Sequence, residues 1–214
     1  MLKTDCEGSL LKRIHVFLLL AVTGFFVWSC VKPAYYPVWV LEVGPSVIAL
    51  VIVIYLYNRT RLTTLSYVII AISTILTFIG GHYTYDDVPL FDWLQKTYDL
   101  KRNHYDRFGH LIKGLLFIVF REILIIKTAL PVGRWVQFLA FCISLSVAAI
   151  YEIVEWLASK IGNRETKDFM GAQGDMWDSQ WDMSLTLIGS VLALVLLTRW
   201  HNRLIANLKE KDWS

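Results

Sequence analysis

The chain has 214 residues, of which 56% are hydrophobic, 14% aromatic and 18% charged, with a formal net charge of +3. Soluble domains run about 45–50% apolar and about 25% charged, so this balance belongs to a different class. Apolar residues gathered into long, nearly charge-free runs exclude a disordered chain, a disulfide-stapled mini-domain and a conventional soluble enzyme.

Crossing about 30 Å of hydrocarbon takes around 20 apolar residues in helical form. Runs of that kind cover 14–31, 38–57, 62–80, 111–130, 135–157 and 181–200. Backbone polar groups in lipid must pair inside the chain, so each run reads as a helix. The fold class is therefore all-α: one polytopic integral membrane domain over 1–214, a bundle of six transmembrane helices. The first run follows Lys12-Arg13 and reads as an uncleaved anchor, because it is too long for a signal core. Pro33, Pro37, Gly80-Gly81, Pro131 and Gly162 punctuate the edges, while Pro45 is placed to kink the second span. The fourth run is unusual in carrying Lys113, Arg121, Glu122 and Lys127. Between the third and fourth runs, residues 92–100 read as an amphipathic segment on the outer face.

Basic residues favour cytoplasmic loops, and Asn58–Arg61 holds two Arg where 32–37 holds one Lys. That places both termini in the cytoplasm. Most acids then fall outside, so the positive net charge reports orientation and not nucleic-acid binding. His15 and His201 read as surface residues of the inner side. Three scattered cysteines define neither a metal motif nor a disulfide framework.

Polar groups from four distant segments belong at the outer face. They are His82 with Asp86; Asp106 with His110; Glu152 with Glu155; and Asp175, Asp178 and Asp182, with Asp168 upstream. Helical spacing puts Asp106 and His110 on one face, and likewise Glu152 and Glu155. Asp175, Asp178 and Asp182 form a stripe that continues to Gly189, where a glycine admits a close neighbour. Charge in hydrocarbon costs about 2.5–3.5 kcal/mol on insertion scales, so the stripe faces other helices.

Imidazole with carboxylates suits a divalent metal such as Zn or Mn, and carboxylates alone suit Mg. His82, Asp86, Asp106, His110, Asp175 and Asp178 are the candidate ligands. Crowded carboxylates also split their proton affinities, so Asp106, His110, Glu152, Glu155, Asp178 and Asp182 are candidates for acid–base catalysis. Alternatively, Lys113 and Arg107 neutralise the acids and the cluster pins helix ends together, or it opens an ion or proton path. Membrane lipids, and an envelope lipid or lipid-linked substrate, are the partners such a site would meet. Deep in the fourth run, Arg121 and Glu122 point about 100° apart and need different partners, which an inner ion pair between helices would supply.

The run Gly171-Ala172-Gln173-Gly174-Asp175-Met176-Trp177-Asp178-Ser179-Gln180-Trp181-Asp182-Met183 resembles the YjdF family of bacterial inner-membrane proteins, and the likeness extends over essentially the whole chain. It implies a multi-pass plasma-membrane protein and no established activity. A weaker resemblance reaches the VanZ-like membrane proteins. It matches Asp106, Arg107 and His110 at the opening of one helix, Glu152 and Glu155 at the close of the next, and Asp182, Thr186 and Gly189 at the opening of the last. This second resemblance implies a shared outer-face site.

Overall fold

A computed structural model describes residues 2–161 and 175–212. Its helices are α1 (Leu2–Cys30), α2 (Tyr36–Leu56), α3 (Thr64–Tyr83), α4 (Pro89–Thr97), α5 (Tyr105–Lys113), α6 (Phe117–Lys127), α7 (Arg134–Ile161) and α8 (Asp178–Asp212). Three-residue 3-10 turns lie at Tyr85–Asp87 and Gly114–Leu116. Among the described residues there is no strand. Asp168 and the start of the 171–183 run lie outside the described residues.

Five helices are long and apolar enough to cross a membrane: α1, α2, α3, α7 and α8. The segment expected to form the fourth of six spans, as one helix over 111–130, differs and is not among these five. It is a column of α5, the 114–116 turn and α6, and it begins earlier, at Tyr105. Its start meets α3 where the Tyr105 hydroxyl donates to the Leu76 carbonyl. Its far part meets the start of α3 where Glu122 accepts from Thr63 and Ser66. The column therefore runs the length of the bundle, and α1 begins at the same end where α8 finishes. This is a polytopic helical bundle.

The centre is α3, with 56% of its span buried against 6% for α1. α1 and α2 pack on one side of it, and the broken column with α7 and α8 on the other. Thr63 caps α3 by accepting from the Ser66 N–H, and Leu65, Ile69, Phe117, Ile118 and Ala193 fill the core nearby. Gly80-Gly81 does not end α3, contrary to the sequence reading. The helix runs on to Tyr83, because these glycines seat the Tyr85 ring and the Val43 side chain. Similarly, α2 continues through Pro45.

α4 has no buried residue, and its Leu90 and Trp93 point outward beside an Asp92–Lys96 ion pair at 2.7 Å. The amphipathic segment is thus a short, exposed helix next to the polar end of the bundle.

A candidate functional site at one end of the bundle

α5 and α8 approach each other closely enough for backbone to meet backbone. A Cβ on Gly189 would stand 2.1 Å from the Leu111 carbonyl oxygen, and one on Gly114 would stand 2.4 Å from that of Thr186. No side chain could separate the helices here. The contact fixes their register, and one turn further out it sets Asp106 and His110 of α5 against Asp182 and Thr186 of α8.

Asp106, His110 and Asp182 each offer a ligand atom within 4.8 Å of the others, and all three residues are buried. His110 Nε2 lies 3.6 Å from Asp106 Oδ1 and 3.7 Å from Glu152 Oε1, which α7 brings in. Both separations exceed a hydrogen bond. On the ring's other side, Thr186 Oγ1 stands 3.4 Å from Nδ1 and donates to the His110 carbonyl. The Thr186 hydroxyl is equidistant from Nδ1 and from that carbonyl, and Nε2 is the ring nitrogen that faces the carboxylates. A metal ion or a proton between Nε2 and those oxygens would join them. Among the described residues, Asp182 Oδ1 and Glu152 Oε1 are also buried without a hydrogen-bond partner. Unpaired buried acceptors of this kind are costly, which makes their concentration at one point informative.

Beneath this group sits Lys113, one turn along α5, with its ammonium 4.9 Å from the Tyr151 ring centre and 5.4 Å from that of Tyr85. The Tyr151 hydroxyl donates to the buried carboxylate of Glu42. Glu155 lies within electrostatic range of Glu42, Asp106 and Glu152.

Residues 14–203 match the family described as a predicted membrane protein (DUF2238). The chain is also 37% identical over 166 residues to the inner membrane protein YjdF of Escherichia coli (strain K12), covering 77% of this chain and 79% of that one. No solved structure matches. The chain belongs to the DUF2238 family.

The matched region of this DUF2238 chain contains every residue of the group just described. Of the candidates read from the sequence, Asp106, His110, Glu152 and Asp182 come together, with Glu155 close by. Asp175 and Asp178 do not enter the group. Arg102 binds the carboxylate of Asp178, Arg107 binds that of Asp175 at 2.6 Å, and each Arg lies 3.9 Å from the other's partner. The Trp177 N–H, bonded to Asp175 Oδ1 at 2.9 Å, and the Arg107 guanidinium hold the Asp175 carboxyl below its usual range. This lock therefore persists at neutral pH and loosens only as pH falls through that depressed value. His82 stands apart, stacked on Trp28 at 4.2 Å between ring centres, with Nδ1 3.2 Å from the Ser29 carbonyl. Asp86 lies half-buried on the 85–87 turn.

Glu42 was not among the site candidates, and Thr186 entered only through the VanZ-like resemblance. A carboxylate inside the otherwise apolar α2 was the available signal for Glu42, since charge within a span needs a partner. Thr186 continues the spacing of the Asp178–Asp182 stripe by four.

The DUF2238 fold holds a second polar centre at the opposite end. Glu122 is fully buried and accepts from the Thr63 N–H at 2.6 Å, the Thr63 hydroxyl at 2.8 Å and the Ser66 hydroxyl. His201 Nε2 lies 3.1 Å from the same carboxylate, and Arg121 reaches His201 Nδ1 at 2.9 Å and the Asn202 side chain. A guanidinium can only donate, so Nδ1 accepts and Nε2–H points at Glu122. Arg121 and Glu122 do have different partners, and His201 bridges them. His201 is completely buried, not a surface residue. His15 also differs from its reading: its nitrogens meet the Tyr57 hydroxyl at 2.8 Å and Thr64 Oγ1 at 3.0 Å.

Proposed function

We propose that Asp106, His110 and Asp182 hold a divalent metal ion at the periplasmic face of the inner membrane, for chemistry on the headgroup of an envelope lipid or lipid-linked intermediate. The observation that carries this reading is the convergence of buried Asp106, His110 and Asp182, whose ligand atoms lie within 4.8 Å of one another beside Glu152 and Asp182 oxygens that lack hydrogen-bond partners among the described residues. Two ligands of one tetrahedral ion, each at about 2.0–2.1 Å, stand about 3.4 Å apart. The 3.6 Å separation between His110 Nε2 and Asp106 Oδ1 is close to that spacing. One imidazole with two carboxylates favours Zn or Mn over Mg. Thr186, beside Nδ1, would orient the ring as outer partners of metal-bound histidines do.

A bound metal would polarise a phosphoryl oxygen or acidify a water. Glu152, with an oxygen unpartnered beside His110, is placed to take a proton. Lys113 supplies positive charge beneath the cluster, offsetting charge that builds there. The periplasmic assignment rests on the bases gathered at the end where α1 begins and the acids gathered at this one.

A second reading has a proton in the metal's place, making His110 an imidazolium between carboxylates and the site one for acid–base work. Elemental analysis of detergent-extracted protein, purified without a metal-binding tag, separates the two. Near-stoichiometric Zn or Mn is expected in the parent and in Asp178→Asn, whose carboxylate is held by Arg102. Folded His110→Ala and Asp182→Asn variants should lose it. No metal in the parent after reconstitution with Zn, Mn and Mg would sink the metal reading and leave the proton.

A further inference from the structure

At the end of the bundle away from that site, α1, α2 and α3 part around a cavity of about 670 Å³. This lies within the range of about 300–1,000 Å³ typical of small-molecule sites. Its depth is apolar, walled by Leu19, Val22, Leu50, Ile54 and Ile70. Leu19 and Ile54 are 41% and 49% exposed, so the cavity opens sideways, in the direction where acyl chains lie. Its rim is of another kind. Lys12, Asn58 and Arg61 line it, and among the described residues no acid does. Lys12 and Arg61 are exposed, and neither forms an ion pair with a described residue.

The cavity is also held in shape. The His15 ring of α1 is tied to Tyr57 following α2 and to Thr64 of α3, and packs on the Tyr67 ring at 4.6 Å between centres. A preformed site avoids the ordering cost of building one on binding.

We propose that this cavity binds an anionic phospholipid, with an acyl chain against the apolar wall and the phosphate at Lys12 and Arg61. Apolar depth, lateral opening and exposed bases at the rim together match a lipid of net negative headgroup. Arg offers a planar fork of donors suited to phosphate oxygens, and Lys a compact point charge. A zwitterionic headgroup would bring its own ammonium toward those two cations and lose most of the attraction. The inference is independent of the carboxylate–imidazole site and stands whether or not that site holds metal.

The test is native mass spectrometry of the full chain in detergent, with phosphatidylglycerol and phosphatidylcholine of identical acyl chains. Phosphatidylglycerol should be retained about tenfold more than phosphatidylcholine. A Lys12→Gln/Arg61→Gln variant should lose that preference, and Ile54→Trp should reduce retention of both lipids. All three positions are exposed, and an unchanged thermal midpoint in each variant shows that the fold is intact. Equal retention of the two lipids would overturn the proposal, as would a preference that survives the double variant. Undiminished binding to Ile54→Trp would place the acyl chain elsewhere and overturn it too. Displacement by soluble glycerol 3-phosphate at equal concentration would show a phosphate site without a lipid's chain, with the same consequence.

Discussion

Gly189→Ala should destabilise the protein by about 3 kcal/mol, at the upper end of what overpacking a filled interior costs. The added methyl would stand 2.1 Å from the Leu111 carbonyl and 3.1 Å from Gly114 Cα. Those are backbone atoms on a helix, so no side chain can swing away to relieve the overlap. α8 would have to withdraw from the column, and the His110–Thr186 contact one turn away would open with it. Unfolding in mixed micelles, followed by helical signal, gives the number. Gly24→Ala and Gly44→Ala provide the contrast, since nothing lies within 4 Å of a Cβ at either position. Those two should be neutral or stabilising by up to about 1 kcal/mol, the ordinary gain of alanine over glycine in a helix. Equal costs at all three glycines would mean that the α5–α8 contact does not set the packing.

Glu122→Ala should cost about 3–5 kcal/mol, the range for removing one partner from a buried charge pair. Four donors lose their acceptor at once: the Thr63 N–H, the Thr63 and Ser66 hydroxyls, and His201 Nε2–H. Arg121 would keep its charge inside a bundle where it is 0% exposed. The double variant Arg121→Ala/Glu122→Ala should cost clearly less than the two single changes added together, because each single change strands the other's charge. Strict additivity in the same unfolding assay would show that the two charges do not depend on each other.

The membrane architecture was legible because it depends on composition over windows of about 20 residues, which neighbours barely alter. The Gly189 stripe and the Asp106–His110 pair were legible for a related reason, since spacing within a helix is local geometry. Asp175 and Asp178 show where that stops. They share the stripe by spacing, but they lie at the mouth of α8, where Arg102 and Arg107 reach them. Arg102 stands just before α5, and helical periodicity does not say where a loop residue will turn. His201 was misread because it falls just past the apolar run over 181–200, whereas α8 runs on to Asp212 and keeps residue 201 inside the bundle. Glu42 finds its partner Tyr151 at a separation of 109 residues, which no local pattern encodes. The break at Gly114 had a visible cause in the glycine, and its backbone carbonyl is taken up by the Ser190 hydroxyl at 3.1 Å.

The split fourth pass bears on how the chain is made. A segment holding Lys113, Arg121, Glu122 and Lys127 partitions poorly into lipid by itself, since each charge opposes entry by about 2.5–3.5 kcal/mol. Thr63 and Ser66 are synthesised before it and stand ready for Glu122, but His201 and Asn202 follow Arg121 by 80 and 81 residues. Arg121 therefore waits for α8 to be synthesised before its charge is housed. Biogenesis is held open until α8 arrives, and a chain cut short ahead of residue 201 would leave the fourth pass exposed to membrane quality-control proteolysis, with its arginine unhoused.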